Sequence, residues 1–222
     1  MTAAASIRNA ADLVSPDRIS TIFWDLGGVL LTNGWDPSQR SCVLSSFGVN
    51  LDAYEAVHDS VNYFWERGLA SAEDFFRETV LLPNPQLHLT FSQLWPLVCA
   101  ESKVLHPDCF DILAALQAAG RYRLATLNNE SRELNAYRLD AFDLGRYFSY
   151  FLCSGYLHEM KPAPGFFRYA IEISGRPPSS SLFIDDRAEN CAAARALGIQ
   201  AIVFESPAQL TRELGTLGIQ TA

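Results

Sequence analysis

Ile22-Phe23-Trp24-Asp25-Leu26-Gly27-Gly28-Val29-Leu30 is an apolar, β-rich run that reaches a carboxylate and passes at once into two glycines. It reads as a buried strand carrying Asp25 at its tip. A lone aspartate in such a place is commonly a turn former or a helix cap. Far along the chain, however, a second run of the same kind, Ser181-Leu182-Phe183-Ile184, ends in Asp185-Asp186. Two strand tips can then bring three carboxylates together, and three converging acids point to a hard cation, Mg²⁺.

Between these strands the pattern changes twice. After turn signals at Asn33-Gly34 and Asp36-Pro37, the apolar spacing is helical up to about residue 103. Leu51, Tyr54, Val57, His58, Val61, Phe64 and Trp65 recur at steps of three and four and close at Arg67-Gly68, while Ser71 and Asp74 form a capping-box start for the next helix. Pro83, Pro85 and Pro96 punctuate the rest. From Pro107 helices alternate with β-rich runs: a helix through Leu116, a strand Tyr122 to Leu127, a helix from Ser131, a strand near Phe151 to Ser154 and a helix after Pro164. The strand Ser181 to Ile184, a helix Ala188 to Leu197 closed by Gly198, and a strand Ala201 to Phe204 complete the series.

That alternation predicts an α/β fold, a doubly wound, Rossmann-like parallel sheet with an inserted helical segment. The expected organisation is an N-terminal extension (1–18), a core from 19–33 and 104–222, and an insertion at 34–103.

Composition narrows the class. The 222 residues hold 17 Lys and Arg against 25 Asp and Glu, a net charge of −8, which argues against nucleic acid as a partner. No apolar run approaches the roughly 20 residues that span a bilayer, so no membrane partner is expected. The cysteines, Cys42, Cys99, Cys109, Cys153 and Cys191, are odd in number and widely spaced, with no C-x-x-C pair. Reduced thiols in a cytoplasmic protein, monomer or homodimer, are the expectation. The first eighteen residues show no continuous apolar segment of a secretory signal.

In open parallel sheets ligands bind beyond the carboxyl ends of the strands. Asp25, Asn128, Lys161 and Asp185-Asp186 all follow predicted strands and would meet at that edge. Together they make a phosphoryl-transfer set acting on a small phosphorylated metabolite. Asp25 is the candidate nucleophile, forming an aspartyl-phosphate. Lys161 places a positive charge beside phosphate and carboxylate, and Asn128 donates an amide N–H to a phosphate oxygen.

With these residues in view, the chain resembles the haloacid dehalogenase-like superfamily, in the branch whose small helical cap lies between the first core strand and the rest. Asp25-Leu26-Gly27-Gly28-Val29-Leu30 is similar to its first motif, Leu127-Asn128-Asn129 to its second, Lys161-Pro162-Ala163-Pro164 to its third, and Asp185-Asp186-Arg187-Ala188-Glu189-Asn190 to its fourth. Trp65-Glu66-Arg67-Gly68 resembles a cap segment of bacterial sugar-phosphate phosphatases. The resemblance implies a Mg²⁺-dependent phosphatase. Its metal ligands would be Asp25, the Gly27 carbonyl, Asp186 and Asp185, supported by Asn190. Asn128, Asn129, Lys161 and Arg67 would be phosphate or substrate contacts, and Trp35-Asp36 would lie in the flap over the site.

The chain departs from that family at two positions. Many members carry a second Asp two residues after the nucleophile as general acid and base; here the position is Gly27, and His158 is a candidate substitute. Asn128 stands where Ser or Thr is usual. Two alternatives remain open: a 2-haloacid dehalogenase-type hydrolase, against which Asp185-Asp186 argues, and a non-catalytic metabolite-binding or regulatory protein on the same fold.

Overall fold

The computed structural model describes residues 19–221; the expected N-terminal extension, 1–18, lies outside them. Five strands form one parallel sheet: β1 (Thr21–Trp24), β2 (Arg123–Asn128), β3 (Tyr150–Cys153), β4 (Ser181–Asp185) and β5 (Gln200–Val203), in the order β3-β2-β1-β4-β5. β1 is wholly buried, because a central parallel strand is covered by helices on both faces.

Alternate side chains separate the two layers. Ile22, Trp24, Leu124, Leu182 and Ile184 pack with helices α5 (Pro107–Ala119) and α10 (Pro207–Thr216) through Leu113, Leu116, Leu210 and Leu214. Phe23, Ala125 and Phe183 face the other way, onto Phe166 and Phe167 of α8 (Pro164–Ser174) and Cys191 and Ala194 of α9 (Ala188–Ala196). The remaining helices on the C-terminal side are α6 (Arg132–Ala141) and the short α7 (Ser154–Leu157).

Between β1 and α5 the chain is helical: α1 (Pro37–Ser46), α2 (Leu51–Glu66), α3 (Ala72–Phe76), continued by a π-helical turn Arg77–Leu81, and α4 (Phe91–Ala100). These helices hold a hydrophobic cluster of their own, distinctly aromatic. Trp65 stacks on Phe75 with ring centroids 4.3 Å apart, and Trp35 meets Phe76 edge-on at 5.4 Å. The expected Ser71/Asp74 capping box is formed.

Three expectations need correction. Strand boundaries shift by a residue, so that Asn128 and Asp185 end their strands rather than follow them. Pro96 does not interrupt structure: it lies inside α4, where it forfeits one backbone hydrogen bond while Leu94, Val98 and Cys99 stay buried. α10 was not expected, although Ser206 as N-cap, Pro207 at the first turn and the Leu210/Leu214 spacing all signal it.

Candidate active site

The register places the key residues at one edge. Trp24 pairs with Thr126 on one side and with Ile184 on the other, so the tips of β1, β2 and β4 are level. Beyond them opens a cavity of about 320 Å³. Asp25, Gly27, Asn128, Asn129, Lys161 and Asn190 line its sheet side, and Asp36, Asn62, Trp65 and Glu66 line it from the helical insertion and the segment leading into it.

Lys161 is the hub of the floor. Its side chain is 1 % exposed, and its Nζ lies 3.0 Å from Asp25 Oδ1 and 2.6 Å from Asp185 Oδ2. Burial alone would lower its pKa, but Asp25 and Asp185 more than offset that and hold it above the usual lysine value. Asn129 fixes its backbone from both sides: the amide donates to Lys161 O at 2.9 Å, and Lys161 N–H donates to Asn129 Oδ1 at 2.8 Å. The expected phosphate contact of Asn129 therefore competes with a positioning task.

Asp25 accepts the Leu26 N–H at 2.8 Å. Desolvation raises its pKa to about 7, Lys161 opposing and Asp185 and Asp186 reinforcing the rise. Asp185 is fully buried and accepts the Arg187 N–H (2.8 Å) and the Asn190 amide (3.0 and 3.1 Å) besides Lys161. Asp186 is partly buried, and its pKa is raised by desolvation and by Asp185. Oxygens of Asp25, Asp185 and Asp186 lie within 4.8 Å of one another. This all-carboxylate donor set fits a hard divalent cation such as Mg²⁺. Gly28 makes room for it: its φ is +73°, and a Cβ there would collide with Asp186 Oδ2.

Asn128 is 2 % exposed and donates Nδ2 to Asn135 Oδ1 at 3.1 Å, while its own Oδ1 and Asn135 Nδ2 have no partner. Turning both amides over keeps their mutual bond and directs an Asn128 N–H away from Asn135.

Two expected contributors lie elsewhere. Arg67 is not among the lining residues; its guanidinium donates to His158 O at 2.7 Å and contacts the Tyr63 hydroxyl. His158 is likewise absent from the lining, its Nδ1 lying 2.6 Å from Arg67 O and its Nε2 3.3 Å from Arg132. Both serve a seam between the end of α2 and the 154–158 segment. There Ser154 Oγ donates to Glu66 O at 2.6 Å, and Gly68 approaches Gly155 so closely that a Cβ would strike its carbonyl.

Three features are not readable from the sequence. Asn33 Oδ1 occupies the space beside Gly27, 2.5 Å from where a Cβ would stand, and its Nδ2 donates to Asp36 at 2.7 Å. In the sequence Asn33 reads only as a turn residue. Glu130 and Arg138 form a buried pair at 3.1 Å, and Arg138 also donates to Ser102 Oγ and Thr32 O, clasping the two crossings between sheet and insertion. Asn62 faces the cavity one helical turn before Glu66, itself part of the Trp65-Glu66-Arg67 stretch whose place at the end of a cap helix already points it toward the substrate.

Comparison with known proteins agrees with this arrangement. A probable phosphoglycolate phosphatase of Pseudomonas putida is 31% identical over 102 residues, covering 46% of this chain and 40% of that protein. The chain thus matches well under half the length of that curated relative. Among solved structures, a haloacid dehalogenase family enzyme of Bacteroides thetaiotaomicron, in complex with magnesium and inorganic phosphate, is 20% identical with a TM-score of 0.66, covering 85% of this chain and 95% of that one. An L-2-haloacid dehalogenase of Xanthobacter autotrophicus with chloropropionic acid covalently bound is 20% identical with a TM-score of 0.59, covering 89% and 83%. The model of the haloacid dehalogenase-like hydrolases matches residues 19–198, the stretch that runs from the first sheet strand through all the strand-tip residues described above, and the chain belongs to that family.

Proposed function

We propose that the protein is a phosphatase that hydrolyses a small phosphomonoester, a sugar phosphate being the favoured class, through an aspartyl-phosphate on Asp25. The observation that carries this reading is the position of Lys161 Nζ between Asp25 and Asp185 on the floor of the cavity. A carboxylate nucleophile needs its attack on an anionic phosphate offset by positive charge, and a fixed ammonium supplies it without reorganisation.

In this reading Asp25 attacks phosphorus and splits one displacement into two. Asn128, with its amide turned so that N–H faces the anion, donates to a phosphate oxygen, and Asn135 accepts or donates as that orientation requires. Asn129 holds the Lys161 backbone. Asp25, the Gly27 carbonyl, Asp186 and Asp185 would hold Mg²⁺, which when bound neutralises phosphate charge and aligns it with Asp25. Asn190 orients Asp185. Residues 34–103 act as a cap that supplies the wall facing the leaving group.

Five cysteines without a disulfide support the cytoplasm as its compartment; among the described residues no helix is long and apolar enough to cross a membrane.

The test is inorganic phosphate release from a panel of sugar phosphates and an aryl phosphate, with Mg²⁺ and with EDTA. Loss of activity on chelation and in Asp25→Asn is expected. Halide release from a 2-haloacid without metal would instead identify carbon as the electrophile. No turnover by the folded protein, with phosphate esters still bound, would mark it as non-catalytic.

A further inference from the structure

We propose that Glu66, from the last turn of α2, is the proton donor to the leaving group and the base for the water that follows. This assignment rests on the Asp25 phosphoenzyme reading and answers a question that Gly27 raises. Nothing at position 27 can carry a proton, and the space its side chain would use is filled by Asn33, so the acid has to enter from another direction.

Four carboxylates line the cavity besides Asp25, and three are disqualified by their partners or exposure. Asp36 does not cap its own helix and is turned onto Asn33 Nδ2 at 2.7 Å. Glu130 is paired with Arg138 at 3.1 Å and accepts the Ser131 N–H at 2.8 Å, so although burial raises its pKa its carboxyl is committed to these structural contacts. Glu189 is exposed on α9. Glu66 has the Asn62 amide as its side-chain partner, with Arg187 acting on it only from a distance.

The fold holds it there. Ser154 Oγ donates to Glu66 O, the neighbouring Arg67 is bonded to His158 O, and the Gly68–Gly155 approach clamps the end of α2 onto the core. The groups that face the carboxyl from surrounding elements are Glu130, Asp36, Arg187 and Asn62. Burial first and Glu130 second push its pKa up to about 7, so that it exists in both protonation states near neutrality.

The proton balance closes over the two steps. As Asp25 attacks phosphorus and the bond to the leaving oxygen breaks, the Glu66 carboxyl gives its proton to that oxygen and becomes a carboxylate. Water then attacks the aspartyl-phosphate, the carboxylate takes one proton from it, the Asp25–phosphorus bond breaks, and inorganic phosphate departs with Glu66 protonated again. The starting state is restored with no other reactant.

Rapid-quench kinetics of wild type and Glu66→Gln with Mg²⁺, on 4-nitrophenyl phosphate and on an aliphatic phosphate ester that wild type hydrolyses, tests the assignment. A nitrophenolate leaves without a proton, whereas an alkoxide does not. The variant is expected to release one equivalent of nitrophenolate in a burst and then turn over slowly, because only its second step lacks the base. With the alkyl ester it shows no burst, and kcat falls by about 10²- to 10⁴-fold.

Equal losses on both substrates without a burst would overturn the proposal, as would no loss on either. Wild type provides a second test, independent of how the variant folds: kcat/KM for the alkyl ester should fall above pH about 7, and a flat profile to pH 9 would overturn the assignment. If Asp25→Asn kept full hydrolysis, the phosphoenzyme reading itself would fail. If Asp25→Asn is inactive while the aryl and alkyl losses in Glu66→Gln are equal, the Glu66 assignment alone fails.

Discussion

The two walls of the cavity solve opposite electrostatic problems. On the sheet side, charge is matched by charge: Lys161 sits between Asp25 and Asp185, and Asn190 and a backbone N–H satisfy what remains of Asp185. On the insertion side, Glu66 is placed near Glu130 and Asp36 with only an amide for a direct partner. A charge-matched wall suits a group whose charge persists throughout a reaction, such as phosphate. A carboxyl without a counter-ion is easily protonated, which suits a leaving group that must gain a proton. The division of labour runs along the boundary between sheet and insertion.

The largest effect is expected from removing Asp25, the proposed nucleophile of the floor. Asp25→Asn should abolish phosphate release, by a factor on the order of 10⁴ to 10⁶, with the fold kept; a smaller loss would mean that the floor only binds. Next, Lys161→Met should leave two carboxylates buried without their cation. A destabilisation of about 3–5 kcal/mol near neutral pH is expected in urea unfolding, with part regained on adding Mg²⁺.

The insertion side should respond with the opposite sign. Glu66 has an unfolded pKa near 4.5 and a folded pKa of about 7, so native stability falls as pH rises from 4.5 through 7. Glu66→Gln removes that loss. It should leave stability unchanged at pH 4 and raise it by on the order of 2 kcal/mol at pH 8; destabilisation at pH 8 would mean the carboxylate is matched after all. The smallest effect is expected at the seam. Arg67→Ala should lower stability by about 1 kcal/mol or less and leave KM within about twofold, because Arg67 lines the seam rather than the cavity. A KM rise of tenfold would return Arg67 to the substrate.

The aromatic cluster of the insertion and the aliphatic layers of the sheet were unevenly legible. Helical spacing from Leu51 to Trp65 and the runs at β1 and β4 announce their elements because a buried face must repeat with the period of its backbone. Asp25, Asn128 and Asp185 were legible for the same reason: each sits at or just beyond the end of such a run, and strand ends are where an α/β sheet exposes chemistry. Lys161 does not directly follow a strand as expected: α7 separates it from β3, and the loop before α8 brings it back to the floor.

What lies beside those tips was not legible. Nothing in the neighbourhood of Asn33 says that its side chain fills the space next to Gly27, and no spacing links Arg138 to Thr32 and Ser102 or Asn128 to Asn135. Arg67, expected as a substrate contact, and His158, expected as a candidate for the missing acid, meet each other instead.

By itself the sequence determined the sheet, the helical insertion and the carboxylates of the floor, since local periodicity and the rule of strand ends depend only on near neighbours in the chain. Tertiary structure alone decided which carboxylate keeps a counter-ion and which does not. Burial and the sum of surrounding charges set the state of Glu66, and both come from residues far apart in sequence that meet only when the insertion closes against the core.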